Sequence, residues 1–266
     1  MNKELLSYYN LTVLPFGKEI DVQNLAPLPT VEMALSSIRL LVDTRGIGIL
    51  TGESGTGKSC IIRMLDHELN AGLFKLIYLC HSSVGIMEFY GHLCAGLGLE
   101  THRYRAKMFR TVKERILSLN KSTRVHPILI LDEAHLLCTE ILKEIRLLSN
   151  FEIDSYNALT VLLVGRQSLC KSFGLSILEP LVNSITVNTH LATLPKEESF
   201  SYVEHRVTQV GGASSLFTKN ALTLIHQAAG GIMRNINTIA QGSLYKAYNT
   251  KSTQVEAEHV KAVIER

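Results

Sequence analysis

An eight-residue run with three glycines, a lysine and a serine has the composition of a phosphate-binding loop. It reads Gly52-Glu53-Ser54-Gly55-Thr56-Gly57-Lys58-Ser59. Successive backbone N–H groups can surround a triphosphate only where side chains leave room, and the glycines supply that room. Lys58 can reach the β and γ phosphates, and the Ser59 hydroxyl can complete one corner of a Mg²⁺ shell. We predict that residues 52–60, which include Cys60, bind ATP·Mg²⁺.

The residues on either side of this run have the pattern that such a loop requires. A β-type apolar run at 47–50 leads into it, and Ile61, Ile62 and Leu65 are spaced for one face of a helix after it. Strand, glycine loop and helix in this order are the context of a true P-loop. The context therefore argues against a chance glycine-rich turn.

A second apolar run ends abruptly in two carboxylates, in the sequence Pro127-Ile128-Leu129-Ile130-Leu131-Asp132-Glu133-Ala134-His135. A buried strand next to the P-loop strand would place Asp132 where it orients Mg²⁺ through a water ligand, and Glu133 could polarise the attacking water. An Asp-Glu pair after a strand can also act as a helix N-cap, and this alternative stays open. We predict Glu133, Lys58 and Asp132 as catalytic residues, with Ser59 and Asp132 on the metal.

The remaining elements predict an α/β fold. Further β-type runs lie at 76–80, 128–131, 159–164 and 185–187, with room for helices between them, which favours a parallel sheet covered by helices. After Pro195 the β signal stops, and helices are predicted at 197–210, 218–229, 234–248 and 255–264. The first thirty residues read as a loop-rich lead-in. We expect a nucleotide-binding domain at 1–190 and a helical lid at 191–266.

Composition and charge are those of an ordinary globular protein, with 266 residues, 46% apolar, 19% charged and a formal charge of +3. No apolar run reaches the roughly 18 to 20 residues of a membrane helix, and the first residues lack a signal-peptide layout, so we expect a cytoplasmic protein without a membrane partner. The five scattered cysteines favour reduced core thiols over disulfides or a zinc site. The charge permits an anionic partner without requiring one.

Over nearly its whole length the sequence resembles the ExeA-type branch of AAA+ ATPases. The resemblance rests on these segments: Tyr9-Asn10-Leu11 with Pro15-Phe16, Asp132-Glu133-Ala134-His135, the helix at 142–150, Val161-Leu162-Leu163-Val164-Gly165, Tyr202-Val203-Glu204-His205-Arg206-Val207 and Gly231-Ile232-Met233-Arg234-Asn235-Ile236-Asn237. It implies a P-loop core with a parallel sheet of order 5-1-4-3-2, a C-terminal α-helical lid, and nucleotide held between neighbouring subunits of a ring or filament.

The resemblance also assigns roles to residues outside the two motifs. Arg234 corresponds to the lid arginine that contacts the γ-phosphate, although an arginine at a helix start is also common on protein surfaces. Phe16, with Pro15 and Tyr9, would flank the adenine ring. The alternative is that this N-terminal segment simply packs on the core.

Two departures from the branch concern hydrolysis. Arg166-Gln167 stands where relatives have Gln-Pro, so the sequence does not identify which residue senses the γ-phosphate. Val182-Asn183-Ser184-Ile185 lacks the arginine of the relatives' Gln-Arg-Ile block, and an arginine finger is worth roughly 10³ to 10⁵ in rate. We therefore expect slow or partner-stimulated hydrolysis. Arg146 or Arg166 could substitute from a neighbouring subunit, although a helix-surface ion pair is the expected role of Arg146.

A cation-rich stretch at 102–113, with Arg103, Arg105, Lys107 and two aromatics, is the candidate DNA-binding surface. The alternative is a solvated helix face. Secretion-associated members of the branch carry a membrane helix and a peptidoglycan-binding domain, and this sequence has neither. Stand-alone members resemble the transposition regulators TnsC, TniB and Mu B. The resemblance thus implies assembly on double-stranded target DNA and recruitment of a transposase. Two alternatives stay open: a secretion-accessory ATPase that acts on proteins, and a nucleotide-gated oligomerisation module.

Overall fold

The structure is a computed structural model that describes residues 2–80 and 84–265. Its centre is a five-stranded sheet of β1 (Ile47–Gly52), β2 (Phe74–Leu79), β3 (His126–Leu131), β4 (Thr160–Gly165) and β5 (Ile185–Leu191). The strand order is β2-β3-β4-β1-β5, and β1, β4, β3 and β2 pair in parallel. This order confirms the predicted sheet. Strands β1, β3 and β4 are buried along their whole length, which explains why they read as unbroken apolar runs.

Helices follow or precede each strand. They are α1 (Asn2–Tyr8), α2 (Pro29–Thr44), α3 (Lys58–Glu68), α4 (Ile86–Leu97), α5 (Arg105–Ser118), α6 (Thr139–Ser149), α7 (Ser168–Ser172), α8 (Glu179–Val182), α9 (Lys196–Thr208), α10 (Lys219–Ala229), α11 (Met233–Asn249) and α12 (Ala257–Ile264). Short helical turns lie at Val22–Asn24, Leu119–Thr123, Ala134–Leu136, Ser176–Leu178 and Ser214–Leu216. The last four helices begin and end within about two residues of the predicted bounds.

The chain forms two compact units. The sheet unit comprises 34–52 and 61–190, and the helical unit comprises 1–33, 53–60 and 191–266. One core of the sheet unit is made by buried apolar side chains of one face of the sheet and of the helices packed on it, among them Leu93, Val112, Leu129, Ile145 and Val161. The two predicted domains, 1–190 and 191–266, stay a prediction.

The amino-terminal segment is more ordered than the sequence indicated. Residues 2–8 form helix α1, where a loop-rich lead-in was expected, so that interpretation is wrong for these residues. Leu5 is fully buried, and the hydroxyls of Tyr8 and Tyr9 donate to the carbonyls of Lys251 and Ser252 at 2.6 and 2.9 Å. A seven-residue helix is marginal in isolation, so tertiary packing within the helical unit stabilises it.

The cysteines do not all pack in the core. Cys94 is buried, but Cys80 and Cys138 are exposed, so the core-thiol interpretation is wrong for these two. Cys80 directly follows β2, and Cys138 is the N-cap of α6. Both lie at the boundary of a helix or strand, Cys80 after its end and Cys138 before its start. An apolar run in the sequence does not reveal such a boundary.

A buried histidine joins three segments of the sheet unit. His126 is 2% exposed, with Nδ1 3.0 Å from Oδ1 of Asn120 and Nε2 2.9 Å from Oγ1 of Thr160. Burial, with a smaller contribution from Arg45, lowers the pKa of His126 to about 4. The folded protein therefore holds this imidazole neutral.

We predict that this histidine makes the protein acid-sensitive. The unfolded chain binds a proton at His126 below its ordinary pKa of about 6.5, whereas the folded chain does so only near 4. Stability is therefore lost as pH falls through this window, by roughly 2 kcal/mol at pH 4.5. Urea unfolding at several pH values should show a shallower loss for His126→Gln than for the wild type. Substitution of the exposed His67 by Gln is the control, and equal slopes for the wild type and His126→Gln would contradict the assignment.

Candidate functional site

The predicted P-loop is a tight turn that only glycine can make. Gly55 and Gly57 have φ values of +90° and +105°, which side chains with a Cβ rarely adopt. A Cβ on Gly55 would lie 2.7 Å from Cβ of Arg234, and one on Gly57 would lie 3.0 Å from the Met233 methyl. The glycines therefore permit both the turn and the close approach of α11 to it.

The backbone of this loop presents unused donors. Across residues 2–80 and 84–265, the N–H groups of Ser54, Gly55 and Gly57 donate to no protein acceptor. The N–H of Thr56 donates to the carbonyl of Glu53 at 3.4 Å, and its hydroxyl donates to the same carbonyl at 2.9 Å, which closes the turn. Open amides in a glycine-lined turn are the arrangement that binds phosphate oxygens.

A cation is held at the same loop. Lys58 is 8% exposed, and its Nζ donates to the carbonyl of Glu53 at 2.8 Å. The ammonium group therefore stays on the loop backbone, next to the open amides and at the start of helix α3. Together these donors and this charge fit a triphosphate, because backbone N–H groups and an ammonium group can each donate to an anionic oxygen.

Arg234 of α11 binds the P-loop directly. Its Nη1 donates to Oγ of Ser54 at 3.0 Å, and its backbone N–H donates to the carbonyl of Gly55 at 3.1 Å. Gly231 sets the start of this helix, since a Cβ there would lie 2.3 Å from the carbonyl oxygen of Leu194. Arg234 is exposed, but these bonds distinguish it from an unattached surface arginine. Its contact with a γ-phosphate stays a prediction.

The Asp132 carboxylate is buried at the end of β3 and bound through both oxygens. It is 6% exposed; Oδ2 accepts from the Tyr78 hydroxyl at 2.7 Å, and Oδ1 accepts from the backbone N–H of Glu133 at 2.8 Å. Burial and the bond to Asp132 raise the pKa of Tyr78, which stays a donor. Sequence reasoning missed Tyr78. A tyrosine near the end of a β-type run was the only available signal.

Glu133 has a strained backbone. Its φ of +52° is left-handed, which is uncommon for a residue with a Cβ and often marks functional sites. Its side chain is 49% exposed, and Oε2 lies 3.5 Å from Nδ1 of His135. Glu133 makes no side-chain capping bond to the helical turn Ala134–Leu136 that follows. The Glu133 carboxylate therefore does not act as a side-chain N-cap of this turn.

His135 packs against the end of β4. A Cβ on Gly165 would lie 3.2 Å from the backbone nitrogen of His135, so glycine permits this contact. The backbone N–H of the exposed Arg166 lies 3.5 Å from Nδ1 of the same imidazole. Within the sheet unit, His135 therefore lies close to both Glu133 and the backbone of Arg166.

Phe16 and Tyr9 are packed residues of the helical unit. Phe16 is 7% exposed and meets the ring of Phe217 edge-on at a centroid distance of 5.8 Å. Tyr9 is also buried, and its hydroxyl donates to the carbonyl of Ser252. This arrangement fits the alternative interpretation, in which the amino-terminal segment packs on the core. A contact between Phe16 and adenine stays a prediction.

One of the two arginines that could replace a missing finger is already paired. Arg146 binds Asp154 through two nitrogens, at 2.6 and 3.3 Å, so the expected surface ion pair is present. Asn183, in the block that lacks the arginine, is exposed beside the end of α8.

The cation-rich stretch divides into exposed and structural residues. Arg103, Arg105 and Lys107 are all exposed, but Arg105 also lies 3.4 Å from Oε1 of the buried Glu144. Lys113 donates to the carbonyl of Asn150, and burial lowers its pKa. The stretch therefore offers fewer free cations than its sequence indicates.

The two aromatics of the stretch have different environments. Tyr104 is 70% exposed, just before α5, whereas Phe109 is half-buried and meets the Tyr90 ring at 6.4 Å. Only Tyr104 can stack on a partner without a rearrangement of the core.

In the part of the chain that the structure describes, no helix combines the length and the apolarity needed to cross a lipid bilayer.

Comparison with known proteins gives the family. The model of the AAA domain matches residues 40–173, about half of the chain. General secretion pathway protein A of Aeromonas hydrophila is 29% identical over 217 residues, which are 81% of this chain and 39% of that protein. The chain thus spans about two fifths of the length of this relative.

Two solved structures have the same fold. Cdc6p of Pyrobaculum aerophilum has a TM-score of 0.71 at 17% identity, over 91% of this chain and 67% of that one. The Drosophila ORC structure bound to DNA has a TM-score of 0.72 at 17% identity, over 98% of this chain and 65% of that one. Identity this low bears on the fold alone. The family match, the sheet order and the P-loop geometry agree, and the chain belongs to the AAA domain family of AAA+ ATPases.

Proposed function

We propose that the chain binds ATP·Mg²⁺ at residues 52–60 and hydrolyses the β–γ bond. The observation that carries this proposal is the glycine turn with three open N–H groups and the Lys58 ammonium on the same loop. When bound, Mg²⁺ supplies positive charge that neutralises the phosphates. Ser59 and Asp132 are the residues that would hold and orient it.

The other site residues have separate roles in this proposal. Glu133 polarises the attacking water, because it is a half-exposed carboxylate with a fixed neighbour in His135. Arg234, bound to Ser54, contacts the γ-phosphate and reports its loss. Hydrolysis is slow or stimulated by a partner, because residues 182–185 supply no arginine and Arg146, one of the two possible substitutes, is paired with Asp154. Arg166 is the substitute that stays available.

The biological task we propose is ATP-dependent assembly, as a ring or filament, on double-stranded DNA, followed by recruitment or activation of a transposase. The exposed Arg103, Tyr104 and Lys107 support DNA binding, since cations neutralise phosphates and a tyrosine can stack on a base. The resemblance to stand-alone transposition regulators supports the choice of partner.

A second candidate is a secretion- or assembly-accessory ATPase that acts on proteins without DNA. The 29% identity to General secretion pathway protein A favours it. The two candidates share the ATPase chemistry and differ in whether duplex DNA binds. A nucleotide-gated oligomerisation module would instead depend on nucleotide binding and not on turnover.

Binding and hydrolysis should separate in two variants. Lys58→Ala should abolish Mg²⁺-dependent ATP uptake in calorimetry, because the loop loses its cation. Glu133→Gln should keep ATP binding and lose hydrolysis by a factor of about 10² to 10⁴, since the water loses its base. Lys107→Ala, an exposed cation on α5, is the control that should change neither. ATP uptake unchanged in Lys58→Ala would refute the proposed site.

Arg234 should distinguish ATP from ADP. In Arg234→Ala we expect ATP affinity to fall about tenfold, because a charge-assisted hydrogen bond to the γ-phosphate is lost, while ADP affinity stays the same. Thr238→Ala, one turn further along α11, is the matched control. Equal losses for ATP and ADP would mean that Arg234 only braces the loop through Ser54.

DNA binding should depend on nucleotide and on salt. Replacement of Arg103, Arg105 and Lys107 together by alanine should weaken the ATP-dependent electrophoretic shift of duplex DNA and lower the salt slope by about 1 to 3, without loss of ATP binding. The Lys219→Ala, Lys261→Ala double variant, with exposed cations of the helical unit, is the control. Arg105→Ala alone should have the smaller effect, because Arg105 is paired with Glu144. Absence of any shift at low salt would remove the DNA role and leave the secretion-accessory candidate.

A further inference from the structure

Strand β2 contributes a side chain to the Asp132 carboxylate that lies at the end of β3. The Tyr78 hydroxyl donates to Oδ2 of Asp132 at 2.7 Å, and Tyr78 pairs in register with Ile130 two residues before that aspartate. The backbone N–H of Asp132 donates to the carbonyl of Leu79 at 2.9 Å, which extends the ladder past the end of β3. Strand β2 therefore holds Asp132 through its backbone and its side chain.

The two oxygens of this carboxylate have different donors. Oδ1 accepts from the backbone N–H of Glu133, a neighbour along the chain, whereas Oδ2 accepts from Tyr78, which is 54 positions away. The Glu133 bond joins neighbouring residues of one turn. The Tyr78 bond adds an attachment from a separate strand, and a hydrogen bond from a second direction helps to fix the orientation of a carboxylate group.

We propose that Tyr78 is a positioning residue that holds the Asp132 carboxylate in the orientation needed to receive hydrated Mg²⁺. The proposal rests on the proposed ATP·Mg²⁺ function. Tyr78 does not itself touch metal or nucleotide; it acts through Asp132. An oriented carboxylate binds a metal-bound water without first losing rotational freedom, so the loss of the hydroxyl should weaken Mg²⁺ binding more than nucleotide binding.

The side chain of Tyr78 is well suited to a clean test. Tyr78 is 45% exposed, so removal of its hydroxyl oxygen should leave the packing of the sheet intact. Tyr78→Phe retains the ring and deletes only the donor. Tyr90→Phe is the matched control in the same unit, because the Tyr90 hydroxyl also donates to a buried carboxylate, that of Glu144, which has no proposed metal role.

The experiment titrates Mg²⁺ into the full chain with a fluorescent ATP analogue. For Tyr78→Phe we expect a Mg²⁺ midpoint about 5- to 10-fold higher than in the wild type, with unchanged affinity for the analogue in EDTA. Tyr90→Phe should lower the melting temperature and keep the wild-type midpoint. A combined Tyr78→Phe, Asp132→Asn variant should have the same midpoint as Asp132→Asn alone, because Tyr78 acts only through that carboxylate.

The outcomes separate the inference from the function on which it rests. A wild-type midpoint in Tyr78→Phe, or a further shift when Tyr78→Phe is added to Asp132→Asn, overturns the role of Tyr78 and leaves the ATPase proposal intact. Absence of Mg²⁺-dependent binding by the wild type overturns both. If Tyr78→Phe melts early, the comparison of the two Asp132→Asn variants at a temperature where both are folded still decides the question.

Discussion

Close approach of helix α11 to the P-loop is the constraint on which much of the helical unit depends. Glycine at position 55 permits it, since a Cβ there would lie 2.7 Å from Cβ of Arg234, and glycine at position 57 leaves room for the methyl group of Met233. The same lack of side chains leaves backbone N–H groups without protein acceptors. One feature, a glycine turn, therefore leaves backbone N–H groups open to a ligand and makes room for Arg234 beside them.

The sheet unit buries a charged group, the Asp132 carboxylate. A carboxylate at the end of an apolar strand is costly unless both oxygens are hydrogen-bonded. Asp132 meets that requirement with one donor from its own turn and one from the neighbouring strand β2. The left-handed backbone of Glu133 belongs to this turn, because its N–H faces the Asp132 oxygen while its side chain lies near His135. Strain at Glu133 is thus tied to the orientation of the two carboxylates.

Several cations that the sequence presents as available for a partner are bound to other residues of the chain. Arg105 neutralises the buried Glu144, Lys113 binds the end of α6 at Asn150, and Arg146 pairs with Asp154. Of these groups, Glu144 is buried, and Arg105 offsets part of the cost of its burial. Arg103 and Lys107 remain exposed. A nucleic-acid surface on this protein would therefore depend on a few cations and on Tyr104, and the modest net charge of +3 agrees with that view.

The sequence by itself determined the P-loop, the Asp132-Glu133 pair, the helical end of the chain and, through a family resemblance, the strand order. All of these features except the strand order depend on local spacing, which strand and helix periodicity expose directly. Only the tertiary structure decided the rest: that residues 2–8 are helical, that Tyr78 binds Asp132, that Arg105 is paired and that Cys80 and Cys138 are exposed. Each of these depends on a partner or a boundary distant in the chain. Such contacts are determined by packing between distant parts of the chain, and the local pattern of residues does not predict them.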